Sequence, residues 1–335
     1  MPNIIFSESG NVNNALFGKV QTPIKAMILE QAEAFEGKSM IGELCAEVDS
    51  ENFAELYTGV SSMGDWKPVG ENGGHPTNGM LTGFEKEIRN TTWKSHFAIS
   101  REMVDDSKRI AVEAATQGFT TSYYRTREKL LAQLYGAAMN GDATFKIDEE
   151  TFSTRTADGE KLFSKVHKMK NGGKQCNMFS DAISSDALLY AESRLQDMRD
   201  DNGNILDIRP NTILIPNDPS AKKAVFAAIG ADKDPDVASS NAFNYNYGRW
   251  NVIVWAALNP YIAEGNTPWC VLDTEYMKNY YAAVFQNRVG LEITSKIADN
   301  DANVWNGYSR FSAGFVDYRF IVGCGMGGGE KLLKV

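Results

Sequence analysis

The stretch SENFAELYTGVSSMGDWKPVGENGGHPTNGMLTGFEKEIRNTTWKSHFAIS, residues 50–100, decides how the rest of the chain is read. A strand-like opening through Phe53 and Tyr57 runs into a tract carrying Gly64, Gly70, Gly73, Gly74, Gly79 and Gly83, after which the chain returns in extended form. That pattern predicts a long β-hairpin with a glycine-rich tip. In the returning half, Trp93, Phe97 and Ile99 fall on one face and Lys94 and His96 on the other, the period-two alternation of a half-buried strand. Ile88 has the opposite parity, which calls for a bulge or strong twist between tip and base. An isolated two-stranded ribbon is marginal in water, so this one needs support, and a neighbouring subunit can supply it.

Working outward, residues 1–20 are rich in Asn, Ser and Gly, with Phe6, Leu16 and Phe17 as isolated apolar anchors. Thr22-Pro23 reads as a helix start, Ile24, Ile28 and Phe35 as its apolar stripe, and Gly37 as its end. Downstream, Ser100 can cap a short helix through Met103. A much longer helix follows Lys108 and runs to Asn140-Gly141, with Phe119, Tyr123, Leu130, Leu134 and Ala138 on one face. Thirty residues at ~1.5 Å each make a spine about 45 Å long. Residues 141–180 read as an irregular surface excursion. A compact α/β stretch comes next: a helix over 186–199 with Leu188, Ala191, Leu195 and Met198 at helical spacing, a turn at Asn202-Gly203, and the buried strand Ile213-Leu214-Ile215 ended by Pro216. Asp218 and Pro219 then suit an N-cap and first helical residue, with Val225, Phe226 and Ile229 as the apolar face and Gly230 as the stop. A polar and aromatic loop is expected over 231–248, followed by strands at 250–255 and 269–272 and a β-rich final sixty residues.

The 335 residues, 43% of them apolar, suffice for a sizeable buried core. A net charge of -9 speaks against a protein that grips phosphates, because backbone binding needs clustered Lys and Arg. The sequence has neither a secretory pattern nor a run of the roughly 18 apolar residues that a membrane helix needs, so a cytoplasmic start and no membrane partner are expected. Cys45, Cys176, Cys270 and Cys324 are scattered, without zinc spacing, and read as isolated, reduced, mostly buried thiols.

The formal motifs fail on inspection. Gly323-x-Gly325-x-x-Gly328 imitates a dinucleotide fingerprint, but too few residues remain after Gly328 to build the helix such a site requires, so a flexible glycine-rich tail is expected. Asp299-x-Asp301-x-Asn303 imitates a calcium loop until Val304 replaces the turn glycine and Arg310 the closing glutamate. His75, His96 and His167 are too dispersed for general acid-base or zinc chemistry, and Gly307-Tyr308-Ser309-Arg310-Phe311 lacks the second glycine of a nucleophile elbow. The aromatic clusters at Trp250/Trp255, Trp269 and Tyr280/Tyr281 are expected in the core or at a subunit interface. No catalytic, cofactor-binding or metal-binding residue is assigned.

The order of arm, glycine-rich hairpin, long spine helix, small α/β insertion and β-rich ending resembles the major capsid proteins of tailed phages with the Hong Kong 97-type fold. Local stretches are similar to Mu-like major head subunits: Phe97-Ala98-Ile99-Ser100-Arg101-Glu102-Met103-Val104-Asp105-Asp106, Asp158-Gly159-Glu160-Lys161-Leu162-Phe163-Ser164-Lys165-Val166-His167, and Asp201-Asn202-Gly203-Asn204-Ile205-Leu206 before Pro210 and Ile215-Pro216. The resemblance implies an α+β fold with an N-terminal arm (1–49), an extended loop (50–100), a peripheral domain with the spine helix (101–180), an axial domain (181–272) and a β-rich return to the peripheral domain (273–335). It implies a structural protein and not an enzyme, without cofactors, assembling in the host cytoplasm into pentamers and hexamers that close an icosahedral shell, the virion capsid. The implied partners are further copies of the chain, a separate scaffold (no acidic helical extension precedes the arm), the portal and other head proteins. Double-stranded DNA would be enclosed, not specifically bound. Contacts between subunits are expected from Phe6, Phe17, Trp66, Lys67, Lys86 and Trp93. Some shells of this type join a loop Lys to a neighbour's Asn, and Lys67 and Lys86 lie in the corresponding region. The competing readings are an encapsulin-like container, an unrelated α+β enzyme with a deep polar pocket, and a phage tail or decoration component.

Overall fold

A computed structural model describes residues 4–8, 12–14, 16–59, 62–106, 108–230 and 243–332, so the predicted loop at 231–248 lies outside the described residues up to 242. Along the chain, β1 (Ile4–Glu8) leads to α1 (Gly18–Glu36), the single turn α2 (Ile41–Leu44) and β2 (Ala46–Asp49). The ribbon comprises β3 (Ala54–Thr58), β4 (Ser62–Met63), β5 (Met80–Leu81) and β6 (Glu85–Arg89), and β7 (Thr91–Ile99) comes after it. Then come α3 (Arg101–Asp105), α4 (Arg109–Met139), β8 (Thr144–Ile147), β9 (Glu150–Ser153), β10 (His167–Lys168) and β11 (Lys174–Gln175). The chain continues with α5 (Ser185–Gln196), β12 (Thr212–Pro216), α6 (Pro219–Ile229), β13 (Asn251–Trp255), β14 (Trp269–Leu272) and α7 (Thr274–Asn279). It ends in β15 (Ala283–Ile297), β16 (Asn303–Phe315) and β17 (Ile321–Cys324).

Two sheets organise this mixed helix-and-sheet fold. The larger runs β1-β15-β16-β7, with β2 also on β15, and α1 and α4 cover one of its faces. The smaller runs β13-β12-β14-β17. Its central strands β12 and β14 are buried throughout, which is why Ile213-Leu214-Ile215 reads as a continuous apolar run. The capping residues act as their chemistry dictates: Ser100 Oγ accepts from Met103 N–H (3.3 Å), Ser184 Oγ from Ala187 N–H (3.1 Å) and Asp218 Oδ2 from Ala221 N–H (2.8 Å). The last third of α4 is buried almost all round, and at Gly136 the Tyr261 backbone crosses so closely that a Cβ would stand 2.5 Å from the tyrosine Cβ.

Several expectations need correction. The first helix starts at Gly18, not at Thr22, and Pro23 lies inside it. Asn14 starts the helix early: its Oδ1 accepts from Leu16 and Phe17 N–H (3.1 and 2.8 Å) and its carbonyl from Gly18 N–H (3.0 Å). The arm is not a bare excursion, because β1 pairs in parallel with β15, and Ile24, Ile28 and Phe17 are buried in the subunit's own body. Segment 141–180 is no surface excursion either, since Leu162, Phe163, His167, Asn177 and Phe179 are buried. Asn177 replaces a ladder there: its Nδ2 donates to the carbonyls of Leu162 (2.8 Å) and Ile321 (3.2 Å), and its Oδ1 accepts from Ser164 N–H (3.0 Å). Phe226 points outward, and the buried face of α6 is Ala221, Val225 and Ala228. The glycine-rich ending is packed instead of flexible. Phe179 N–H donates to the Gly323 carbonyl (2.8 Å), and Gly329 lies so close to the Phe179 backbone that a Cβ has no room.

Candidate assembly surface

The returning half of the 50–100 stretch does not pair with its outgoing half along its whole length. β3 pairs with β6, from Ala54–Arg89 to Thr58–Glu85, but β7 leaves the ribbon and joins β16 as the edge of the large sheet. The parity break at Ile88 is therefore a change of partner at Asn90, not a bulge within one hairpin. Asn90 is buried, and its Nδ2 donates to Ser50 Oγ (2.8 Å) and the Asn52 carbonyl (2.9 Å) while its Oδ1 accepts from Gln286 Nε2 (2.9 Å). Glu55 closes the opening turn by accepting from Ser50 Oγ (2.7 Å) and from Glu51 and Asn52 N–H (both 3.0 Å), bonds that lower its pKa below the ordinary carboxylate value.

The base of the ribbon rests on its own subunit. Ile88 packs with Val284 and Val316, with Val48, Tyr57 and Ala157 against them. Tyr57 O–H donates to Gln286 Oε1 (3.1 Å), and burial, with smaller contributions from Glu55 and Tyr281, pushes the phenol up to about 12. Beyond Gly59 and Phe84, whose ring centroid lies 4.2 Å from Lys170 Nζ, this support ends: Met63, Trp66, Val69 and Leu81 are exposed, Trp66 to 96%. A distal ribbon displaying apolar side chains without a core of its own is the feature that asks for a partner.

The six residues expected at subunit contacts are divided by the fold. Trp66 and Lys67 lie exposed on the distal ribbon. Lys86 is half-buried at the ribbon base, 3.5 Å from Ser153 Oγ, and burial, then the charge of Arg155, lowers its ammonium below the ordinary lysine value. It lines a crevice of about 570 Å³ between β6 and the β8–β9 hairpin. Trp93, on edge strand β7, stacks on Phe311 (5.0 Å between centroids) and donates from Nε1 to the Phe311 carbonyl (3.2 Å). Phe6 is half-buried beneath Lys25 Nζ (5.7 Å), and Phe17 is spent entirely inside its own chain. Only Trp66 and Lys67 of the six stand fully free.

Beneath the ribbon stem lies a buried ionic layer that residue spacing did not reveal. Arg319 is almost fully buried; its Nη2 meets Asp201 Oδ1 at 2.9 Å, its Nη1 meets both Asp317 oxygens at 3.3 Å, and its Nε donates to the Arg199 carbonyl (2.9 Å). Burial disfavours that charge, but Asp317, Tyr318, Tyr276 and Asp201 outweigh it and hold the guanidinium above its ordinary value. Alongside, fully buried His167 lies parallel to the Tyr318 ring at 3.7 Å, with Nδ1 2.8 Å from Asp158 Oδ2. Gly59 and Phe84 of the ribbon border the same crevice as Asp158, Asp201 and Arg319. The layer joins segments near 158, 201 and 318 at the foot of the stem.

Asp158 supplies a pH test. Burial raises its pKa, but the hydrogen bond and charge of His167, Thr156 Oγ1 and Lys168 N–H more than offset this and bring it down to about 2, against an ordinary 3.8. A depressed carboxylate stabilises the fold fully above its unfolded value, and that contribution disappears as pH falls from about 4 towards 2. It amounts to roughly 2 kcal/mol. In urea unfolding of the purified subunit, the gap between the parent and Asp158→Asn should narrow by about 1.5 kcal/mol between pH 5 and pH 2.5; a constant gap would show that the carboxylate is not the coupled group.

Among the described residues there is no cluster of metal-ligating side chains, no helix is long and apolar enough to cross a membrane, and the four cysteines are free. No curated protein matches the chain. Solved structures similar to it include the procapsid of bacteriophage JBD30 (12% identity, 92% of this chain and 74% of that one, TM-score 0.47). Others are the capsid of cyanophage P-SCSP1u (10% identity, 85% and 87%, TM-score 0.47) and the capsid of an empty GTA particle (15% identity, 85% and 89%, TM-score 0.46). The family model described as phage capsid protein matches residues 85–323, from the inner strand of the ribbon to the last strand of the small sheet. On that match, which spans more than half of the sequence, the chain belongs to the phage capsid protein family and is a structural subunit of the phage shell.

Proposed function

We propose that the chain is the major head subunit of a Hong Kong 97-type shell, assembling in the host cytoplasm into pentamers and hexamers that close around double-stranded DNA without binding it specifically. In this reading residues 1–49 are the arm, 50–100 the extended loop, 101–180 the peripheral domain, 181–272 the axial domain and 273–335 the β-rich return. The last of these includes β17, which pairs with β14 of the axial sheet. A scaffold, a portal and other head proteins are the further partners, and the subunit performs no catalysis.

The observation that carries this reading is the two-part ribbon. Its base is bonded to its own body, while its distal part displays Met63, Trp66, Val69 and Leu81 to solvent. A rigid stem with an unsatisfied apolar end suits a subunit that completes its packing on a second copy, and closed point symmetry repeats that contact around a ring. Negative charge also suits a wall facing packed DNA, since a basic wall would retain the genome by counterion release. Negative-stain electron microscopy and size-exclusion chromatography of the expressed protein test it: closed shells, or rings of five and six, are expected. A stable monomer at all concentrations, or open tubes, would exclude it.

A further inference from the structure

An aromatic cleft of about 270 Å³ opens between the middle of α4 and the β7–β16 edge of the large sheet. Its apolar lining is Trp93, Phe119, Tyr123, Leu291 and Phe311. Gly307 forms part of its wall, where a Cβ would stand 2.5 Å from the Phe119 ring. Ser122 and Thr126 also line it, but their hydroxyls turn back along the helix to the carbonyls of Phe119 and Ser122 (both 2.8 Å). Their donor protons are thus spent within α4, and among the described residues no sheet strand lies beyond β7 to close the opening. At the rim, Lys94 holds its ammonium 5.8 Å from the Tyr308 ring centroid and takes part in no ion pair among the described residues.

We infer that this cleft receives Trp66 from the ribbon of a second copy of the chain. The inference rests on the assembly reading above and names the docking site within it. Trp66 is the most exposed large apolar side chain among the described residues, at 96%. It follows Asp65, an exposed carboxylate without an ion pair among the described residues, so a negative charge beside the key meets Lys94 beside the lock. The hydrogen bonds from Asn78 Nδ2 to the carbonyls of Gly64 (3.0 Å) and Asp65 (3.1 Å) brace the extended backbone just before the tryptophan. Presenting the side chain from a braced segment limits the ordering cost of docking. A tryptophan entering an aromatic pocket, flanked by a charge pair at the rim, has the composition of an interface hot spot.

Two variants of the full-length chain test this. Trp66→Ala removes the key from an exposed position, so the urea midpoint of the subunit should stay at the parent value while the yield of closed shells falls at least tenfold. Lys67→Cys combined with Ser95→Cys, which leaves Trp66 in place and puts one thiol beside it and the other in the cleft lining, should give disulfide-linked subunit ladders on non-reducing gels of oxidised particles, with neither single variant doing so. Parent-like shell yield from Trp66→Ala, or intact particles of the double variant without cross-links, would overturn the docking while leaving the assembly reading in place. A parent chain that forms neither shells nor rings of five or six overturns both.

Discussion

Replacing Arg319 by alanine should cost the subunit about 3–5 kcal/mol, because it strands the buried carboxylates of Asp201 and Asp317 without their cation. The two acids would be left in a medium of low effective dielectric, and the Arg199 carbonyl would lose one of its two donors, keeping Gln175 Nε2 (2.9 Å). Urea unfolding should show the midpoint falling sharply, or the protein accumulating in the insoluble fraction. Combining Arg319→Met with Asp201→Asn and Asp317→Asn removes the charges together, and it should recover a substantial part of the loss because the stranded-charge penalty is gone. A loss below about 1 kcal/mol for Arg319→Ala would show that water reaches the layer and screens its charges.

Excising residues 64–83 should have the opposite profile: little effect on the fold and abolition of assembly. Gly59 N–H already bonds the Phe84 carbonyl (2.7 Å), so residues 60–63 remain as a four-residue loop closing the β3–β6 hairpin. Among the described residues, the removed segment makes its hydrogen bonds within the ribbon, so the body loses almost nothing. The expected result is a soluble subunit with parent-like circular dichroism, a stability within about 0.5 kcal/mol of the parent, and no closed particles by electron microscopy. Normal shells from this deletion would remove the ribbon from the assembly mechanism. The two experiments separate body from ribbon: Arg319 tests what holds the segments beneath the stem together, and the excision tests what the distal part does.

Sequence periodicity located the elements well wherever local chemistry is decisive. The glycine tract marked the ribbon, Ser100 and Asp218-Pro219 marked helix starts, and the apolar run Ile213-Leu214-Ile215 marked a buried strand, because caps, turns and strand faces depend on residues a few positions apart. Gly37 likewise stands at the end of α1, although the beginning of that helix was misplaced because an Asn14 turn outweighs the usual preference for proline in the first turn. The resemblance to capsid subunits added what local periodicity has no access to, the order of elements that belongs to a shell protein.

The tertiary structure alone decided the rest. β7 looked like the return of a hairpin because alternation shows which face of a strand is buried and not which strand it pairs with; the pairing with β16 lies more than 200 positions away in the chain. Segment 141–180 looked like loop because an irregular backbone held by Asn177 carries no period, and the glycine-rich ending looked free because the Phe179 backbone that fills the space beside Gly329 is remote in sequence. The ionic layer of Asp158, His167, Asp201, Asp317 and Arg319 and the aromatic cleft beside β7 have the same origin. Charges and rings distant along the chain acquire an energy only when folding sets them a few ångströms apart in a dry place, since Coulomb and packing energies depend on distance and solvent exclusion, which a linear sequence does not contain.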